Sequence, residues 1–151
     1  YAYQTPADNS YSKSPLDVPS ATFPEKASEF EAQTAIGGGP VLINKGKIVD
    51  TWKEELFEVG GVEPASSQPR TAVGVTSDKK MIMFVCEGRN MTEGVKGMTT
   101  AEVAEILKDL GCVEAINLDG GGSTCMLVNG KETIKVSDGA QRAVASAVYF
   151  K

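Results

Sequence analysis

The chain contains no histidine. That absence excludes a Ser-His-Asp triad, a Cys-His dyad and a His-ligated zinc site built from this chain alone. Cysteine is scarce as well. Cys86, Cys112 and Cys125 are odd in number and widely spaced, so neither a zinc pattern nor a disulfide framework emerges. Each lies in or beside an apolar stretch, where a free cysteine packs as a small hydrophobe, and core packing is the expectation for all three. No apolar run approaches the roughly 20 residues that span a bilayer. Positive charge is in deficit: 15 Lys and Arg stand against 20 Asp and Glu, a net charge of −5, which argues against a nucleic-acid partner held by phosphate contacts. An initiator methionine and a signal-peptide pattern are also missing, since Tyr1-Ala2-Tyr3 opens directly into polar residues, as in a processed or trimmed product. The 151 residues suffice for one domain with a single core.

What the chain has in abundance is glycine, and its most telling use is in Asn117-Leu118-Asp119-Gly120-Gly121-Gly122-Ser123-Thr124. A short apolar strand runs into an acid, three glycines and two hydroxyls before the apolar run Cys125–Val128 resumes. Successive glycines suit a place where the chain turns through positive φ or lets a group approach its backbone. Two readings stand side by side: a tight β-turn, or a loop whose N–H groups form a concave nest for an anion. Asp119 sits at the strand end, where a carboxylate is held rigidly while facing an open loop.

Residues 1–33 carry Pro6, Pro15, Pro19 and Pro24 in a polar run and read as an extended arm or long surface loop, with a short helix near Glu25–Gln33. Organised structure is expected from residue 34 to 151. Val41-Leu42-Ile43, the turn Asn44–Lys47 and Ile48-Val49 read as a β-hairpin preceded by a second glycine cluster, Gly37–Gly39. Thr51–Glu63 has partial helical spacing and is ambiguous. Ala72–Thr76 and Met81–Cys86 read as strands joined by a turn at Ser77–Lys80, the second apolar throughout and expected to be buried on both faces. Thr99 and Glu102 have capping-box spacing, and Val103, Ile106, Leu107 and Leu110 form one helical stripe that Gly111 stops. Asn129-Gly130 signals a hairpin between Thr124–Val128 and Glu132–Val136, and Arg142–Phe150 alternates as a final strand would. The expectation is an α+β (mixed α/β) fold: a mixed sheet with one β-α-β crossover and several hairpins, helices packed on the sheet. The crossover lays Met81–Cys86 and Val113–Leu118 parallel, so that Glu87 and Asp119 meet at one sheet edge, where α/β ligands commonly bind.

Five blocks then occur in the order and spacing of one family: Gly38-Gly39-Pro40-Val41-Leu42, Pro69-Arg70-Thr71-Ala72-Val73-Gly74, Gly97–Glu102, Asn117–Thr124 and Arg142-Ala143-Val144-Ala145. Over roughly residues 35–150 the chain resembles the phosphodiester glycosidase domain family, in bacteria often labelled exopolysaccharide biosynthesis protein. The resemblance implies hydrolysis of a sugar phosphodiester, releasing N-acetylglucosamine or a similar sugar from a phosphate-linked glycan, in a secreted or periplasmic (extracytoplasmic) setting. It divides the chain into an arm, 1–33, and a phosphodiester-glycosidase-like domain, 34–151, without the further amino-terminal segment that the family usually carries.

Cleaving a sugar from a phosphodiester calls for anion recognition, charge stabilisation and proton management. Arg70 and Arg142 are the candidate phosphate forks, because guanidinium matches phosphate bidentately. The amides of Gly120, Gly121 and Gly122, with Ser123 and Thr124, are the candidate cradle for the remaining oxygens. Asp119 and Glu87 form a candidate carboxylate pair for acid/base or nucleophilic work at the anomeric carbon. Asn117 is either a buried hydrogen-bonding support or a contact to substrate. The plainer alternatives are that Arg142 and Arg89 are solvated or ion-paired, that Glu87 caps a loop, and that Thr99 only caps its helix. No cofactor is required by these residues. Two other functions remain open: a non-catalytic carbohydrate- or polyanion-binding module of the same fold, and a metal-dependent phosphoesterase using Asp119, Glu87 and Asp138 as oxygen ligands for Ca²⁺ or Mg²⁺.

Overall fold

The computed structural model describes residues 33–53, 55, 57 and 61–150. The expected arm and most of the ambiguous stretch before Gly61 lie outside the described residues. Among the described residues seven strands and one α-helix follow in order: β1 (Val41–Asn44), β2 (Lys47–Ile48), β3 (Arg70–Thr76), β4 (Met81–Cys86), α1 (Thr100–Asp109), β5 (Cys112–Asn117), β6 (Leu127–Val128) and β7 (Lys131–Glu132). Five strands form one sheet in the order β2-β1-β5-β3-β4, and β6 and β7 make a separate hairpin.

Local chemistry accounts for the short connections. Lys45 and Gly46 link β1 to β2 with φ of 49° and 72°, and Asn129 and Gly130 link β6 to β7 with φ of 52° and 75°. Two consecutive positive φ values give the turn whose twist matches that of paired strands. The helix begins at a complete capping box: Thr99 accepts from the Glu102 amide, and the Glu102 carboxylate accepts from the Thr99 amide at 2.7 Å. Val103, Ala104 and Leu107 are fully buried against Leu42, Ile43, Ala72, Cys112 and Ala115. Burying the larger of these, Val103, Leu107, Leu42 and Ile43, stabilises the fold by roughly 1.5–3 kcal/mol each. Ile106 is half-buried, and Leu110 is an exposed C-cap followed by Gly111 at φ 85°. Cys112 joins the core, whereas Cys86 and Cys125 are half-buried; all three are free thiols.

Three expectations about the sheet are corrected. Among the described residues every hydrogen-bonded strand pair is antiparallel. β4 and β5 do run in the same direction, but β3 lies between them and pairs with both. The tight turn after Thr76 lays β3 against β4 first, so the chain leaving through α1 must place β5 on the far side of β3. The result is a split β-α-β unit without parallel neighbours. Among the described residues β4 is therefore an edge strand, and Met81 and Met83 are 50 % and 38 % exposed rather than covered on both faces. The third correction concerns residues 142–150, which form no strand and are exposed throughout.

The split unit still delivers strand ends to one place. Arg70 is opposite Cys86, Ala72 opposite Asn117, and Val41 opposite Ile116. The carboxyl ends of β4 and β5 and the amino ends of β1 and β3 thus share one edge of the sheet.

Candidate active site

That edge holds a cavity of about 580 Å³. Its walls come from the glycine cluster before β1, the loop before β3, the loop after β4, and the turn after β5. Asn117, Asp119, Gly120, Gly121, Gly122, Arg70 and Arg142 all line it. Arg89, Gln68 and Glu63 line it too, although the sequence pattern gave them no role in a site. The one hint was that Glu87-Gly88-Arg89 repeats, at the end of β4, the acid-and-glycine grouping found at the end of β5.

The glycine turn is shaped by close approach. Gly121 donates to the Pro69 carbonyl at 2.9 Å, and a Cβ on Gly120 would lie 2.8 Å from that oxygen. The turn therefore lies directly on the strand entry at Pro69-Arg70. Its amides are largely committed within the chain: Ser123 donates to Gly120 and Thr124 to Gly121, both at 3.1 Å. Thr124 is itself buried, 3.3 Å from the Thr71 hydroxyl, and Ser123 lies 3.4 Å from Arg142 Nη1. These amides close a single 3-10 turn over Gly121–Ser123 more than they open an anion nest.

The two expected phosphate forks differ sharply. Arg70 is 2 % exposed, and its guanidinium donates to four carbonyls: Met98 at 2.8 Å, and Val62, Glu63 and Ser66 at 2.7 Å each. It ties the loop before β3 to the entrance of α1, and burial pushes its pKa down. Its hydrogen-bonding capacity serves the scaffold. Arg142 is exposed and meets Asp138 at 2.6 Å. Arg89 lies opposite, 3.8 Å from the same Asp138 carboxylate and 2.9 Å from Gln68 Oε1 through its Nε. Arg89 holds a left-handed φ of 56°, uncommon for a residue with a side chain and found disproportionately at functional sites.

The carboxylates also part company. Asp119 is exposed on the cavity wall, whereas Glu87 is not among the lining residues. The Glu87 carboxylate accepts from the Lys135 amide at 3.1 Å, and hydrogen bonds from the Thr92 side chain and that amide hold its pKa below the usual range. Glu87 serves as a loop anchor, and the carboxylate that shares the cavity with Asp119 is Glu63. Among the described residues no group of three or more His, Cys, Asp or Glu side chains is placed to hold a metal ion. Of the three carboxylates of the metal reading, Asp138 is engaged by arginines and Glu87 by a backbone amide. Asn117 is 2 % exposed; its Nδ2 donates to Gly39 and Leu118 carbonyls at 2.9 and 2.8 Å, and its buried Oδ1 has no hydrogen-bond partner among the described residues.

Comparison with known proteins decides the family. The model of the phosphodiester glycosidase family matches residues 12–151. The chain belongs to the phosphodiester glycosidase family. The family match begins within the stretch read as an arm. The N-acetylglucosamine-1-phosphodiester alpha-N-acetylglucosaminidase of Mus musculus is 34 % identical over 108 residues, covering 70 % of this chain and 20 % of its own length. The SPbeta prophage-derived uncharacterized protein YomE of Bacillus subtilis is 35 % identical over 80 residues, 53 % of this chain and 12 % of its own. Among solved structures, the zebrafish N-acetylglucosamine-1-phosphodiester alpha-N-acetylglucosaminidase catalytic domain, auto-inhibited by its pro-peptide, superposes with a TM-score of 0.56 at 34 % identity, covering 68 % of this chain and 34 % of that one. The chain thus spans between about an eighth and a third of these relatives' lengths. No helix among the described residues is long and apolar enough to cross a membrane.

Proposed function

We propose that this chain hydrolyses a sugar phosphodiester, with N-acetylglucosamine or a similar sugar on the cleaved side and a phosphate-linked glycan or sugar phosphate as substrate. The observation that carries the reading is the composition of one cavity lining: two exposed guanidinium groups, Arg89 and Arg142, share it with a strand-end carboxylate, Asp119, and a buried amide, Asn117, with an unpartnered oxygen. Guanidinium groups recognise phosphoryl oxygens, an unpartnered amide oxygen suits a sugar hydroxyl, and a carboxylate can activate water or attack the anomeric carbon. In the balanced reaction water breaks the bond between the anomeric carbon and the bridging oxygen, giving free sugar and a phosphomonoester. Phosphate is a fair leaving group, so a weak proton donor suffices. Asp119 is assigned the attacking or water-activating role, Arg89 and Arg142 hold the phosphoryl group, and Asn117 orients the sugar. The glycine triplet lets Pro69, Arg89, Asp138 and Arg142 close on the turn, which sets the two guanidinium groups at the cavity. The same reading sets the chain outside the cytoplasm, where such glycans are met.

A binding module without catalysis is the second reading, and the observation favouring it is that Glu87 lies away from the cavity and leaves Asp119 without its expected partner. Sugar release from UDP-N-acetylglucosamine and a panel of sugar-phosphate methyl esters separates the two. Catalysis predicts turnover that falls at least a hundredfold in Asp119→Ala with the melting temperature kept. Binding to the panel without release identifies the module.

A further inference from the structure

The Asp138 carboxylate occupies an unusual position. Its Oδ2 lies 2.6 Å from Arg142 Nη2 and 3.1 Å from Arg142 Nε, and its Oδ1 lies 3.8 Å from Arg89 Nη1. A Cβ on Gly122 would overlap both this carboxylate and Arg142 Nη2, and one on Gly121 would lie 2.9 Å from Arg89 Nη2. The carboxylate therefore rests on the glycine turn between two cations that line the cavity. A carboxylate and a phosphoryl group present the same pair of acceptor oxygens to a guanidinium fork. From this arrangement we infer that Asp138 is an internal competitor for the phosphoryl subsite of Arg89 and Arg142, and that a bound phosphodiester displaces it. The inference rests on the reading that the cavity receives a phosphate-linked sugar.

The segment bearing Asp138 is built for such an exchange. On its amino-terminal side it is fastened: the Lys135 amide binds Glu87, Lys135 Nζ lies 3.4 Å from the Met91 carbonyl, and Val136 is buried. On its carboxyl side Gly139 follows at φ 78°, closing a turn onto the Val136 carbonyl at 3.2 Å, and the residues beyond are exposed. The ion pairs themselves are exposed, with side chains 36–50 % accessible. Pairs of that kind contribute little to stability, so an incoming phosphoryl group need overcome only a weak contact. Asp138 thereby keeps the two cations apart from adventitious anions until a ligand with further contacts, to Asn117 and Asp119, arrives.

The test is equilibrium binding of inorganic phosphate at fixed ionic strength, read by NMR at the Gly121 and Gly122 amides. Asp138→Asn is expected to tighten binding three- to tenfold. Asp109→Asn, which changes net charge equally at the end of α1, should leave it unchanged, and Arg89→Gln with Arg142→Gln should abolish the gain. In the wild type, carbon-13 labelling of aspartate should show the Asp138 carboxyl resonance moving as phosphate binds, a readout that needs no substitution. Unchanged or weaker binding in Asp138→Asn overturns the inference, because Asp138 would then orient the arginines instead of competing for them. A gain that persists without the arginines, or a stationary Asp138 resonance while the amides move, overturns it equally. Tightened phosphate binding without sugar release would keep this inference and remove the catalytic reading; sugar release with phosphate binding indifferent to Asp138 would do the reverse.

Discussion

Arg70 and Arg142 show how the same side chain takes opposite work from its surroundings. Arg70 has four carbonyl partners and almost no exposure, so its charge organises the loop entering β3. Removing it leaves four part-buried carbonyls without their charged donor, at up to about 1–3 kcal/mol each. Arg70→Lys is expected to lower stability by roughly 3 kcal/mol or more, which for a chain of this size lowers the melting temperature by about 6–12 °C. Thermal denaturation followed by circular dichroism checks this, and a variant that melts normally while losing phosphate affinity would return Arg70 to the role of a fork. Arg142, exposed and held by a single carboxylate, should show the opposite pattern. Arg142→Gln is expected to raise KM for a sugar phosphodiester at least tenfold with the melting temperature unchanged. From the sequence these two arginines looked alike, because burial and partners are properties of the folded chain.

At the scale of elements, the features that local chemistry dictates could be read directly. The two hairpin turns and the capped helix each depend on residues within a few positions of one another, and Thr99, Glu102, Gly46 and Gly130 identify them. Glu102 also links the helix to pH. Hydrogen bonds from the backbone N–H and side chain of Thr99 depress its pKa. The unfolded chain then binds the proton more readily than the folded one. Glu102 thus contributes stability that is fully present above about pH 4.3, the unfolded value, and is lost as pH falls through the lower folded value. Glu102→Gln should flatten the decline of melting temperature between about pH 5 and pH 3, and Thr99→Ala should cost about 1 kcal/mol at neutral pH. A decline identical to wild type in Glu102→Gln would contradict the capping account. What depended on distant partners was less legible. The apolar run of β4 does not reveal which faces are covered, and the alternation in residues 142–150 does not supply a strand to pair with.

At the scale of the molecule, the split β-α-β unit matters because it gathers four strand ends, two glycine clusters and two exposed guanidinium groups at one edge. The glycine turn and Asp119 stood out in the sequence as a candidate site because strand, acid and glycines are contiguous. Arg89 was not, because its meeting with Arg142 joins the loop after β4 to a segment more than fifty positions later, and only the folded path brings them to one carboxylate. The central claim is that this edge cleaves the bond at the anomeric carbon and uses phosphate as the leaving group. Hydrolysis of a sugar phosphodiester in water enriched in oxygen-18 tests it most directly, with mass spectrometry of both products. The account predicts the label in the released sugar and none in the phosphomonoester. Label in the phosphate would mean attack at phosphorus and would contradict it.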